Sequence, residues 1–424
     1  MSSSDATFSI RGVALAAFLP TALFSIGEGA VIPIIPVLAH NLGAGLALAG
    51  FIGGMIMVGE MLGDIPSGWV VSRFGERNSM IGSALLCIVG LTVCLVSPGE
   101  LTLTIGVFLI GLATSVFALA RHAFMTGYVP VRYRARALST LGGVFRGGWF
   151  VGPFISAGVI ALFGDPHAVF WVHIVMCLAA TVVLLIVPDP AQTVTASAST
   201  LQTASAHEEA EDAGREEARE RTEGLFRTIW LNRAVLLRMG TGAALIAALR
   251  SSRTVILPLF AVAIGIAPAN TALIIGLAGA VDFALFYTSG QIMDRFGRLW
   301  SALPSMLGLS ITHIALAFVV DQTWFTVVAI AMAVANGVGS GILMTLGADL
   351  APRTDPAPFL GAWRFTGDAG QAGAPLLVSG VTALFSLGVA SIGMGVLGLI
   401  GVGMLVRYVP RYVPRRQRPV APGT

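Results

Sequence analysis

Runs of about 20 apolar residues, parted by short polar breaks, recur along this chain from residue 12 to residue 407. Each is long enough to cross the ~30 Å hydrocarbon layer of a bilayer as a helix. The pattern predicts twelve spans, at 12–38, 45–71, 79–97, 101–126, 137–163, 167–188, 234–263, 270–293, 300–320, 323–348, 357–384 and 387–407. Most breaks hold only a few residues. The exception, 189–233, follows Pro188, passes through a Thr/Ser/Ala stretch and becomes charged from His207 to Arg227. There Glu211/Arg215, Glu217/Arg221 and Glu223/Arg227 stand four apart, a spacing that supports a solvated helix. The chain thus reads as a six-span bundle (1–188), a linker (189–233) and a second six-span bundle with a basic tail (234–424). The first apolar run shows no clear cleavage site and is read as the first span, not as a signal peptide.

Composition sharpens this picture. Of 424 residues, 55% are hydrophobic and 11% charged, against about 25% charged in a soluble chain. That excludes disorder, a coiled coil, a disulfide scaffold and an ordinary soluble enzyme. No catalytic or cofactor motif stands out, and neither a cofactor nor a metal is predicted. The three cysteines, Cys87, Cys94 and Cys177, fall inside apolar runs and read as small core hydrophobes. His122, His173 and His313 are isolated and receive no role.

The 25 basic residues are all arginine. Without lysine no Walker loop exists, so ATP-driven work through such a site is excluded. Arg73, Arg77, Arg132, Arg134, Arg136, the linker arginines, Arg295, Arg298, Arg353 and the cluster Arg407 to Arg418 fall on one side of the predicted membrane. The opposite loops have none. The positive-inside rule then places both termini and the linker in the cytoplasm. The basic tail suits anionic lipid headgroups better than nucleic acid. Arginine in place of lysine, with abundant Ala and Gly, suggests a GC-rich bacterial genome and hence the inner membrane.

The two bundles are related by a constant shift of 222. Pro36 falls on Pro258, Gly43 on Gly265, Glu60 on Asp282, Gly68 on Gly290, Arg73 on Arg295, Gly75 on Gly297, Pro130 on Pro352 and Pro153 on Pro375. Such register over more than 100 residues indicates duplication of a six-helix unit, an architecture that alternates access by rocking one half on the other.

The stretch Gly68-Trp-Val-Val-Ser-Arg73-Phe-Gly75-Glu-Arg77 and its partner Gly290-Gln-Ile-Met-Asp294-Arg295-Phe-Gly297-Arg298 resemble the G-x-x-x-D-R-x-G-R loop of the major facilitator superfamily. The second copy is complete; the first has Ser72 for the acid. Ile26-Gly-Glu-Gly-Ala-Val-Ile-Pro-Ile-Ile-Pro36 and Gly148-Trp-Phe-Val-Gly152-Pro153 are similar to motifs of its twelve-span drug:proton antiporters, although the span-4 arginine of that branch is missing. The resemblance implies an all-α fold of two pseudo-symmetric bundles, loops that latch the cytoplasmic face, and a cavity lined by spans 1, 4, 7 and 10. It implies a protein that usually works as a monomer.

Charges inside spans carry the candidate chemistry, because each is costly there (~2.5–3.5 kcal/mol at the bilayer centre) and must face water or a partner. Glu28, Asp282 and Asp368 are candidates for carrying protons. Arg121, Arg146, Arg250, Arg253 and Arg364 are candidates for the substrate cavity. Asp64, Gly68, Arg73, Gly75, Gly290, Asp294, Arg295, Gly297 and Arg298 form the gating loops. Gly152, Pro153 and Pro375 are candidate bends, since proline removes a backbone donor. The shift of 222 sets Glu28 against Arg250 and Arg146 against Asp368, so each pair is expected to face across the cavity. The function expected is proton-coupled efflux of small hydrophobic molecules. The alternative is a symporter or facilitator of an anionic metabolite, favoured by the surplus of cavity arginines.

Overall fold

A computed structural model describes residues 17–129, 131–187, 230–352 and 357–412. Most of the linker, Arg353 and the end of the basic tail lie outside the described residues. Twelve long helices account for almost everything else: α1 Leu19–Asn41, α2 Leu46–Phe74, α3 Glu76–Leu95, α4 Glu100–Tyr128, α5 Val131–Phe163, α6 Ala168–Ile186, α7 Arg233–Ala263, α8 Pro268–Phe296, α9 Leu299–Leu316, α10 Gln322–Leu350, α11 Ala357–Leu384 and α12 Leu387–Tyr412. Eleven are long and apolar enough to span a membrane; α11, which carries Arg364, Asp368 and Gln371, is not among them. An all-helical answer follows from the solvent, since lipid offers no partner to an unpaired backbone group.

Helix α5 begins six residues ahead of the predicted span, at Val131. Helix α10, predicted as continuous, is interrupted between Val338 and Ile342, where Gly341 turns into the left-handed region at φ 81°. The carbonyls freed by this break are each taken by a side chain. Ser301 Oγ donates to Val338 O at 2.6 Å, Arg250 Nη1 to Gly339 O at 3.1 Å and Ser289 Oγ to Ser340 O at 2.7 Å. A broken helix is tolerated at membrane depth only when its backbone is satisfied in this way.

The 222-residue offset reappears in the backbone. Gly43 and Gly265 turn at φ 102° and 75°, Gly75 and Gly297 at φ 77° and 99°. Within the first six helices α1 packs on α5 and α6, and α4 on α2 and α3. Within the second six α7 packs on α11, and α9 on α10 and α12. The two sets meet through α2 against α11 and α5 against α8. That contact is tight at the end near Asn41. A Cβ on Gly54 would collide with Pro375, and one on Gly50 with Leu259 and Ser379. At the opposite end, Gly68 and Gly290 have open space where a Cβ would go. The two sets thus touch at the Asn41 end, and Gly68 and Gly290 make no such contact at the signature-loop end.

Candidate functional site

The site begins with a stripe of small residues. Ser25 and Gly29 on α1 face Gly148 and Gly152 on α5; a Cβ on Gly148 would strike Ser25, and one on Gly152 would strike the backbone of Ile26, Gly29 and Ala30. Small residues four apart let two membrane helices approach to backbone contact. Gly152, expected as a bend, has this packing role, and Pro153 beside it lies inside the unbroken helix. The close approach brings Trp149 over Glu28. Its indole Nε1 donates to Glu28 Oε2 at 3.0 Å, while Glu28 Oε1 has no hydrogen-bond partner.

Glu28 lies at the inner wall of a cavity of about 300 Å³ between the two sets of helices. From α2 come Met57, Glu60 and Asp64; from α4, Thr114, Ser115 and Arg121; from α5, Phe145 and Trp149; from α11, Arg364, Asp368 and Gln371. Glycines place Glu60 as they place Glu28. A Cβ on Gly59 would meet the α4 backbone at Phe108, and one on Gly63 would strike Ser115. Glu60 Oε2 accepts from Gln371 Nε2 at 3.4 Å, a bond that joins α2 to α11 across the interface. Ser251 of α7 braces the same spot, donating to Gln371 O at 2.8 Å. Glu28 is 1% exposed, whereas the side chains of Asp368 and Arg364 are 33% and 69% exposed, so the cavity opens toward the signature-loop end.

Arg121 is the distinctive cation. Its guanidinium lies 4.6 Å from the centroid of the Phe145 ring. Among the described residues no carboxylate is within salt-bridge distance of it. Arg364, by contrast, pairs with Asp368 one turn away at 3.5 Å.

The remaining charges form a second cluster away from this cavity. Arg253 Nη2 donates to Asp282 Oδ2 at 3.2 Å, and Asn336 Nδ2 donates to the same oxygen at 2.7 Å. Arg146 reaches from α5 to lie 4.4 Å from the centroid of Phe286 on α8. Glu28 and Arg250 are therefore not partners, nor are Arg146 and Asp368: each has taken a neighbour on its own side of the interface or across the α5–α8 contact. Of the spans expected to line a cavity, 1 and 4 line this one, together with α2, α5 and α11. Arg250 serves the break in α10 rather than the cavity wall. Glu60, Gln371 and Asn336 were absent from the sequence-derived site. One signal pointed to Gln371, which stands 222 residues after Trp149, so each carboxylate-bonding side chain occupies the same register position.

The signature loops turn at Gly75 and Gly297, but their arginines bind within their own sets of helices. Arg77 donates to Leu184 O at 2.6 Å and Leu185 O at 2.9 Å, capping the end of α6. Arg298 forks onto Asp349 at 2.7 and 3.2 Å, and this carboxylate holds the guanidinium above its ordinary pKa. Asp294, 3.9 Å from Arg298, is 76% exposed. Ser72 bonds only to Trp69 O of its own helix, Arg295 lies over Phe296, and Arg73 is exposed. Asp64, expected to serve these loops, lines the cavity instead. No latch between the halves is formed here among the described residues.

Among the aromatics, Trp363 is structural: its Nε1 donates to Leu343 O at 2.9 Å. His313 is likewise satisfied, by Ser252 at 2.8 Å and Leu309 O at 2.7 Å.

The family model described as Major Facilitator Superfamily matches residues 17–375. The chain belongs to the major facilitator superfamily. This facilitator is 32% identical over 152 residues to the cis,cis-muconate transport protein of Acinetobacter baylyi, a match covering 34% of each chain. It is 31% identical over 133 residues to a gallate transporter of Pseudomonas putida, covering 30% of this chain and 29% of that one. The chain thus matches about a third of the length of these curated relatives. Over a longer stretch, 72% of this chain and 71% of the other, it is 24% identical to a putative metabolite transport protein of Bacillus subtilis. Among solved structures it superposes on a D-xylose–proton symporter at TM-score 0.70 with 18% identity, covering 96% of this chain and 98% of that one. It superposes on a peptide transporter at TM-score 0.70 with 16% identity, covering 94% of each. These likenesses establish the fold of a multi-pass membrane protein. The matching family and relatives are transporters, not enzymes, and the relatives are named for metabolites, which does not bear out the drug:proton branch.

Proposed function

We propose that this protein is a secondary transporter that carries a small organic anion, of the unsaturated or aromatic carboxylate class, together with protons. The observation that carries this reading is Arg121: a cavity guanidinium stacked on Phe145 with, among the described residues, no carboxylate at salt-bridge distance. Such a group suits a carboxylate, and its planar fork adds direction as well as charge. Phe145 and Trp149 offer flat faces to a planar substrate. The muconate and gallate relatives, both named for organic acids, support the same reading.

Proton coupling follows from the wall charges. Glu28, Glu60, Asp64 and Asp368 face Arg121 and Arg364 in one cavity. Fully ionised, that wall repels an anion. Each proton taken by a carboxyl lowers the repulsion, and by linkage the anion raises proton affinity equally. Anion and proton therefore load together, which is symport. We assign Glu28 and Glu60 as the carriers, because both lie deep in the cavity and neither has a cation at bonding distance. The signature-loop face is the cytoplasmic one by its arginines, and both termini lie there; the membrane is the bacterial inner membrane and the working unit a monomer.

Uptake of radiolabelled cis,cis-muconate and gallate into proteoliposomes, with and without an inward proton gradient, tests the proposal. Uptake of one of these acids should rise with the gradient and exceed that of the neutral myo-inositol. Proton-driven movement of an organic cation in the opposite direction, with no acid uptake, would replace this reading by antiport.

A further inference from the structure

Two of the three cysteines and His173, isolated in sequence, converge in the structure. His173 and Cys177 stand four apart on one face of α6, and Cys87 faces them from α3. All three are completely buried. One ligand atom from each, two Sγ and an imidazole nitrogen, lie within 4.8 Å of one another. Cys87 Sγ is 3.7 Å from His173 Nε2. A zinc-type ion bound at about 2.3 Å from sulfur and 2.0–2.1 Å from nitrogen, at angles between tetrahedral and trigonal, sets sulfur and nitrogen about 3.6–3.8 Å apart.

We propose that Cys87, His173 and Cys177 form a binding site for a soft divalent cation of the zinc type. The spacing just given is what favours an ion over plain core packing. His173 Nδ1 is buried with no hydrogen-bond partner, and the ring's polar contact runs through Nε2 to Cys87 Sγ; an imidazole bearing its proton at Nδ1 presents that Nε2 lone pair as a ligand. Charge then selects among ions: two thiolates and a neutral imidazole around a divalent ion sum to zero, which an apolar interior tolerates. A monovalent copper ion would leave one negative charge there. Binding releases the two thiol protons: each S–H bond breaks, its proton leaves to solvent, and the sulfur electron pair goes to the metal without redox change.

The site would tie α3 to α6 directly behind α1. Gly27 abuts the His173 ring, since a Cβ there would overlap it, and the next residue is Glu28. The clamp therefore supports the wall that carries the cavity carboxylate. It stands independently of the transported substrate.

The test uses tag-free, full-length protein purified from cells grown with zinc, then from zinc-poor, cobalt-supplemented cells. Elemental analysis should give one zinc per chain, and the cobalt form should show sulfur-to-metal charge-transfer absorption. Cys87→Ser, Cys177→Ser and His173→Gln should each reduce the metal at least tenfold. Their helical content by circular dichroism keeps loss of metal distinct from loss of fold. Three results would overturn the proposal: folded wild-type protein with under a tenth of an equivalent of metal and no charge-transfer band; metal content unchanged in the variants; or a mass two units low from a Cys87–Cys177 disulfide.

Discussion

The indole of Trp149 and the carboxylate of Glu28 share one hydrogen bond, 3.0 Å long, across the close contact of α1 with α5. The bond favours the charged carboxylate, and no other donor reaches that group. Trp149→Phe keeps the ring and removes the donor. The pH profile of acid uptake should move to higher pH, with expression and melting temperature near wild type. An unmoved profile would remove Glu28 from coupling.

Glu60→Gln retains an oxygen that accepts from Gln371 and abolishes the exchangeable proton. Binding of the acid should persist, while uptake loses its response to an imposed pH gradient. Counterflow, which needs no net proton movement, should remain within a few-fold of wild type. Loss of counterflow together with net uptake would make Glu60 structural.

Arg121→Gln removes the unpaired cation without a large change in volume. Charge-assisted bidentate contacts are about twice as strong as neutral ones, so loss of about 2–3 kcal/mol, a 30- to 150-fold weaker KM for the acid, is expected. Arg121→Lys should recover part of it as a point charge. Transport kinetics on reconstituted protein check both; an unaltered KM would detach Arg121 from the substrate.

Two glycines should respond oppositely to bulk. Gly152→Leu drives a side chain into the α1 backbone and should destabilise by about 1–3 kcal/mol or more, as overpacking does, read as a lower melting temperature. Gly68→Leu meets open space in this conformation and should melt normally. It should still slow transport, because closing the signature-loop end brings α2 against its neighbours. Spin-label distances across that end should show it held apart.

How much of this was legible in the sequence differs by level. Twelve spans follow from a local rule, apolar run length, and the described helices match them; the repeat register paired Gly43 with Gly265 and Gly75 with Gly297, and all four turn at positive φ. Pairing of charges does not. The 222-residue register placed Glu28 opposite Arg250, but the break at Gly339–Gly341 leaves a carbonyl that Arg250 satisfies, and no local pattern announced that break. Asp349 and Asn336 were invisible for the same reason: their partners, Arg298 and Asp282, are set by packing of helices about 50 residues apart. Glycines 148 and 152 were legible as a motif, but their packing role was not, because only the facing Ser25 and Gly29 reveal that they serve close approach.

The central claim is that anion and proton travel together, and the direction of proton movement tests it most directly. Proteoliposomes holding a pH dye outside, with no initial gradient, receive an outward-to-inward step of muconate or gallate. The account predicts alkalinisation of the external medium as protons enter with the acid, abolished in Glu60→Gln. External acidification on adding an organic cation, with no response to either acid, would contradict it.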